Sequence, residues 1–145
     1  MQLSKHIVAV ISAVSIAATG NAAPGPGEVG EFWSIECKHG EPNNIVSSDI
    51  KNMASHLATQ TTFAGVKSPY TLPENGAFSW YWGTAAMEVL NKYLFEKATV
   101  EYHHLAGALE AMRNQCCGSY PTCIGSVAYM RSSNYKNVVV IIRKS

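Results

Sequence analysis

Three polar side chains that lie close together in the chain, Glu101, His103 and His104, could carry out proton-transfer chemistry. A carboxylate beside imidazoles is a combination that a ribonuclease-like hydrolase uses as general acid and base. Neighbouring residues of a helix point about 100° apart, so we expect the two histidines not to chelate one metal ion together, and the HExxH zinc motif is absent. A solvated first helical turn explains the same pattern. The sequence therefore indicates no catalytic residue, metal site or cofactor.

The N-terminal residues have the pattern of a secretory signal peptide. Lys5 precedes an apolar run at residues 7–18, and small residues follow up to Ala23. That run is shorter than the roughly 20 residues that span a bilayer. We therefore expect residues 1–23 to be removed and the protein to be secreted and extracellular. The remainder reads as a flexible leader, residues 24–30, and a single domain, residues 31–145.

The chain has 4 cysteines, an even number that predicts two disulfides in an oxidising environment. Cys116 follows Leu109 and Met112 on the buried stripe of a predicted helix, while Cys37 shares the apolar face of a predicted strand with Trp33 and Ile35. Two buried faces that pack together can bring these two sulfurs within bonding distance. We therefore predict the pairs Cys37–Cys116 and Cys117–Cys123.

Charge is unevenly distributed along a nearly neutral chain, whose formal net charge is +1. Residues 111–145 contain no carboxylate side chain, and their basic residues favour a surface that binds an acidic target. The predicted target-binding residues are Arg131, Lys136, Arg143 and Lys144. An ordinary solvated surface is the alternative. The basic residues are too few for a nucleic-acid footprint, so we expect no nucleic-acid partner.

Hydrophobic periodicity predicts two helices. The first covers residues 47–60 with Ser47 or Ser48 as its N-cap, and the second runs from a cap at Thr99 to about Gly118. Residues 61–76 are expected to form a loop. The local pattern of residues 84–95 favours a helix, with a strand as the alternative. Alternation predicts strands at residues 31–39, 77–83, 124–131 and 138–143.

The order of these elements predicts an α+β fold. We expect a two-layer sandwich in which two main helices pack on a mostly antiparallel sheet. The last strand carries five consecutive apolar residues, 138–142, which is typical of a central strand.

The predicted strand at residues 77–83 places Phe78, Trp80 and Trp82 on one face and Tyr81 on the other. Such aromatic side chains could stack on sugars, which leaves a carbohydrate-binding module that uses Trp80 or Trp82 as one interpretation. Burial of the same face in the core is the ordinary interpretation.

Short motifs at the two ends of the domain resemble a known family, the killer toxins of the killer protein 4 type from smut fungi. The segment Ile35-Glu36-Cys37-Lys38-His39-Gly40 is similar to the opening motif of those toxins. Residues 105–113, followed by Cys116-Cys117-Gly118-Ser119-Tyr120-Pro121, are similar to their second helix and its exit, and residues 137–142 to their last strand.

The resemblance implies two helices against an antiparallel sheet, and a secreted toxin or effector that inhibits growth or interferes with calcium uptake. Residues 61–98 do not align, those toxins contain more disulfides, and no active residue is carried over to this chain. We therefore expect a noncatalytic, monomeric protein that presents its basic terminal hairpin to a target on another cell, either a membrane protein or a cell-surface component. The ribonuclease-like hydrolase and the carbohydrate-binding module are the alternatives.

Overall fold

The computed structural model describes residues 28–38 and 44–145. The predicted signal peptide, leader residues 24–27, His39 and residues 40–43 lie outside the described residues. In chain order the elements are β1 (Phe32–Cys37), β2 (Ile45–Val46), α1 (Ser47–Thr59), β3 (Thr62–Phe63), β4 (Val66–Lys67), β5 (Tyr70–Leu72), β6 (Ala77–Trp82), β7 (Ala85–Asn91), β8 (Ala98–Val100), α2 (Tyr102–Cys116), β9 (Thr122–Cys123), β10 (Ser126–Arg131) and β11 (Asn137–Lys144).

Five strands form one sheet in the order β1-β10-β11-β7-β6, and every neighbouring pair is antiparallel. The strand β11 lies in the middle, as its run of apolar residues predicts. Both helices contribute to one buried cluster with alternate residues of the sheet, so the two-layer α+β sandwich is confirmed. Among the largest buried side chains of that cluster are Trp80, Met87, Leu105, Leu109, Met112 and Met130.

The helix expected at residues 84–95 is wrong, because most of this segment forms β7. Met87 and Val89 point into the core, and β7 pairs with β11 from Lys144↔Ala85 to Val138↔Asn91. Pairing on both sides, with β11 and β6, supplies long-range hydrogen bonds that a local pattern does not reveal. Residues 61–76, expected as loop, also carry the short strands β3, β4 and β5.

Both helices begin differently from the prediction. Thr99 lies in β8, and α2 begins at Tyr102 with Glu101 as its N-cap. Helix α1 begins at Ser47 itself, with Val46 in the cap position and no side-chain cap bond. The residues just before α1 pair in β2 with β9, and those just before α2 pair in β8 with β5. The positions at which these strands end therefore determine which residue occupies each N-cap, and the capping preferences of the side chains do not.

The expectation that Trp33, Ile35 and Cys37 lie on one face of β1 is only partly correct. The pairing of β1 with β10 is irregular between Trp33 and Glu36, where Ser34 has a positive φ of 50°. An irregularity of this kind shifts the alternation of faces. Ile35 packs against the core, whereas Trp33 stacks on Tyr129, with a distance of 6.3 Å between ring centroids.

Two disulfides join the described elements, and both follow the predicted pairing. Cys37 at the end of β1 is bonded to Cys116 at the end of α2, across 79 residues of sequence. Cys117 is bonded to Cys123 across 6 residues. Within residues 28–38 and 44–145, no helix has the length and apolar character required to cross a membrane.

Candidate functional site

The four basic residues predicted to bind a target lie at opposite ends of the terminal hairpin. Arg131 ends β10 and Lys136 precedes β11, so both lie beside the turn between these strands. Arg143 and Lys144 lie at the far end of β11. Lys136 and Arg143 are seven positions apart in extended chain, a distance of about 24 Å along the strand. The structure therefore brings together one pair at the turn and a second pair at the other end, and not a single basic edge.

Three of these four cations already have partners within the chain. The Lys136 Nζ lies 2.6 Å from Glu96 Oε2, and the Arg143 Nε lies 3.3 Å from Glu88 Oε2. The guanidinium of Arg131 lies 5.7 Å from the centre of the Trp33 ring. Lys144 is exposed.

The turn end of the sheet carries a group of exposed apolar side chains that the sequence did not single out. Leu94 and Phe95, in the loop between β7 and β8, are 64 % and 89 % exposed. Tyr135, in the turn between β10 and β11, is 64 % exposed. We call these three side chains, with Lys97 and Lys136, the turn-end surface.

The two loops of the turn-end surface are fastened to each other. Asn134 Nδ2 donates a hydrogen bond to the Lys97 carbonyl at 2.8 Å, and Asn134 Oδ1 accepts one from the Thr99 N–H at 2.9 Å. The ion pair of Lys136 with Glu96 adds a third link. Leu94 and Phe95 therefore lie on a loop that adjoins the turn carrying Tyr135.

No protein-family model matches this chain, and no curated protein matches it either.

A second group of polar side chains lies at the start of α2, where the structure brings Glu101, His103 and His104 together. The Nδ1 of His103 lies 3.4 Å from Glu101 Oε2, and the two imidazole centroids are 3.9 Å apart. One ligand atom from each of the three side chains lies within 4.8 Å of the others. The side chains of the adjacent histidines thus lie closer together than the angle of about 100° between neighbouring helical residues suggests.

His103 and His104 lie beside a groove of about 650 Å³ between α1 and α2. Lys51 of α1 and Glu110 of α2 supply further charged groups to its lining. Burial lowers the pKa of His104 below its usual value of 6.5, and the neighbouring His103 acts in the same direction. The neutral form of His104 is therefore favoured, whereas the side chain of His103 is mostly exposed.

The tryptophans considered for sugar stacking belong mainly to the core. Trp80 is 1 % exposed, so its ring offers no stacking platform. Trp82 is partly buried and packs near His56 and Phe63, with centroid distances of 5.3 and 6.0 Å. The exposed ring of this strand is Tyr81, on the opposite face. The ordinary interpretation of the aromatic cluster, burial in the core, fits this arrangement.

Proposed function

We propose that this protein is a secreted toxin-like or effector-like protein that acts without catalysis, by binding a component of another cell through its turn-end surface. The signal-peptide pattern supports export. The two disulfides fit an extracellular environment, because such bonds form and persist under oxidising conditions. The resemblance of short motifs, and of their order, to the killer protein 4 family favours the same class of function.

The exposure of Leu94, Phe95 and Tyr135 carries this proposal. A single exposed apolar side chain is ordinary on a protein surface. Three large exposed apolar side chains on two adjoining loops favour an interaction surface, because exposed apolar patches mark such surfaces. The two loops are also linked by the hydrogen bonds of Asn134, so less conformational entropy would be lost when a partner covers them.

The charges around these side chains favour an acidic partner. Lys92 and Lys97 are exposed at the two ends of the loop that carries Leu94 and Phe95, and Lys136 lies on the adjoining turn. Glu96 neutralises part of this charge through its pair with Lys136. The remaining cations would steer the protein toward an anionic cell surface, and the apolar side chains would then supply the contact.

Binding of the fluorescently labelled mature protein to intact cells tests this function. The panel comprises yeast, a filamentous fungus and plant protoplasts. We expect the double variant Leu94→Ser/Phe95→Ser to bind roughly 30-fold more weakly, which is the effect of losing a hot spot of about 2 kcal/mol.

Tyr120→Ser is the matched control, because Tyr120 is 74 % exposed but lies in the loop after α2. This control should bind like the unchanged protein. Equal binding by the double variant, or no binding of the unchanged protein to any cell of the panel, would contradict the proposal. RNA cleavage that disappears in His103→Ala and His104→Ala would favour the hydrolase alternative instead.

A further inference from the structure

We propose that Glu101, His103 and His104 form a binding site for a divalent transition-metal ion, with Zn²⁺ and Cu²⁺ as the best candidates. This site lies at the start of α2 and is independent of the function proposed for the turn-end surface.

The distances within the cluster suit such an ion. Two ligands at 2.0–2.1 Å from a tetrahedral metal are themselves separated by about 3.3 Å. The His103 Nδ1 and Glu101 Oε2 atoms are 3.4 Å apart, so this pair already has the required spacing. The third ligand atom, from His104, is within 4.8 Å of the other two.

The local backbone explains why these three side chains converge. Glu101 is extended, with φ −109° and ψ 140°, and the helix starts at the next residue. In a helix every Cα–Cβ bond tilts toward the N-terminus. The side chains of His103 and His104 therefore lean back toward Glu101, and their rings approach each other to a centroid distance of 3.9 Å.

A neighbouring residue orients the carboxylate. Ser133 Oγ donates a hydrogen bond to Glu101 Oε1 at 2.9 Å, which leaves Oε2 as the oxygen beside His103. Hydrogen bonds of this kind hold a carboxylate ligand in position. Moreover, the Nδ1 of His104 is shielded from solvent and has no hydrogen-bond partner among the described residues. The hydrogen-bonding capacity of that ring is thus not used up by the rest of the fold.

The donor set selects among metals. Two imidazole nitrogens and one carboxylate oxygen suit Zn²⁺, Cu²⁺ or Ni²⁺, whereas Mg²⁺ and Ca²⁺ prefer oxygen ligands alone. The N-terminus of a helix repels cations, but the charge of Glu101 opposes that effect. Three protein ligands leave a fourth position open, where a water molecule or a group of a partner would bind. Because both histidines border the groove between α1 and α2, such a group could enter from there.

Isothermal titration calorimetry of the mature protein with ZnCl₂ tests the site, using protein produced without a histidine tag. We expect one ion per chain, and we expect Glu101→Gln, His103→Gln and His104→Gln each to weaken binding. Ser133→Ala should weaken it by roughly tenfold, as loss of a ligand-orienting hydrogen bond does. MgCl₂ and CaCl₂ should give no binding at the same concentrations.

His56→Gln is the matched control, because His56 lies on α1 and packs near Phe63 and Trp82, away from the cluster. It should bind Zn²⁺ like the unchanged protein. Circular dichroism establishes that each variant is folded, and NMR should show the imidazole signals of His103 and His104 shifting upon addition of Zn²⁺. Absence of binding, or binding that survives the combined Glu101→Gln/His103→Gln/His104→Gln changes, would overturn the proposal. These outcomes do not depend on cell binding by the turn-end surface.

Discussion

The side chain of Asn91 donates a hydrogen bond from Nδ2 to the Glu96 carbonyl oxygen, 2.7 Å away, and closes the loop that exposes Leu94 and Phe95. The same nitrogen donates to the Pro73 carbonyl at 2.9 Å, and Asn91 Oδ1 accepts from the Tyr93 N–H at 3.1 Å. Asn91 is only 1 % exposed. A buried amide with all these partners holds the loop in one conformation, because each partner would otherwise lose a hydrogen bond.

We predict that Asn91→Ala lowers the free energy of unfolding by about 1–3 kcal/mol, because buried backbone groups lose their partners. Amide exchange of residues 92–97 should accelerate as well. Urea unfolding and hydrogen-exchange NMR measure the two effects. Asn52→Ala, at an exposed position of α1, is the control and should change stability by less than about 0.5 kcal/mol. Unchanged exchange in the loop of Asn91→Ala would show that other contacts fix its conformation.

Reversal of the charges at the turn should weaken binding to cells. We predict that Arg131→Glu/Lys136→Glu slows association with an anionic surface, and that added salt weakens binding of the unchanged protein more than binding of this variant. Binding kinetics at low and high ionic strength measure this difference. The matched variant Arg143→Glu/Lys144→Glu changes the same number of charges at the far end of the hairpin. If both variants lose binding equally, net charge matters and the turn-end surface does not.

The two disulfides should differ in their contribution to stability. In the chain-entropy model, closing the 79-residue separation of Cys37 and Cys116 restricts the unfolded chain by about 4–5 kcal/mol, against about 2 kcal/mol for the 6-residue separation of Cys117 and Cys123. We therefore expect Cys37→Ser/Cys116→Ser to unfold at lower urea concentration than Cys117→Ser/Cys123→Ser. Equal midpoints with equal slopes would contradict the entropic explanation.

The sequence predicted the parts of the fold in which local pattern and tertiary structure agree. The apolar stripes of α1 and α2, the alternation of β6 and the continuous apolar run of β11 all face the core as expected. The pairing of Cys37 with Cys116 was also predicted correctly, although the alternation of β1 on which it partly rested is interrupted between Trp33 and Glu36. The helix predicted at residues 84–95 was wrong for the opposite reason. Strand β7 is stabilised by pairing with its neighbours β6 and β11 and not by the preferences of its own residues.

The candidate sites were harder to predict. The exposure of Leu94 and Phe95 depends on the end of β7 and on hydrogen bonds from Asn91, neither of which the local pattern contains. The sequence did identify Glu101, His103 and His104 as a group. However, the rotation of about 100° between neighbouring helical residues describes the backbone and does not determine the positions of the imidazole rings at the ends of the side chains. The separation of Lys136 from Arg143 follows from the antiparallel hairpin, once its strand bounds are known.

The hydroxyl of Tyr102 is buried and donates a hydrogen bond to the Val66 carbonyl at 2.7 Å. Burial raises the pKa of this phenol above its usual value of 10.0. The folded protein therefore keeps the proton at pH values where the unfolded chain begins to lose it. The stability linked to Tyr102 is complete below about pH 10 and declines as the pH rises above that value.

We predict that Tyr102→Phe lowers the free energy of unfolding by about 1–2 kcal/mol at pH 7, because the Val66 carbonyl loses its donor. Above about pH 10 the difference between the two proteins should shrink, since only the unchanged protein must retain the Tyr102 proton in order to remain folded. Urea unfolding at pH 7 and at about pH 10.5–11 measures both differences. A gap that stays constant across this range would mean that Tyr102 ionises as readily in the folded protein as in the unfolded chain.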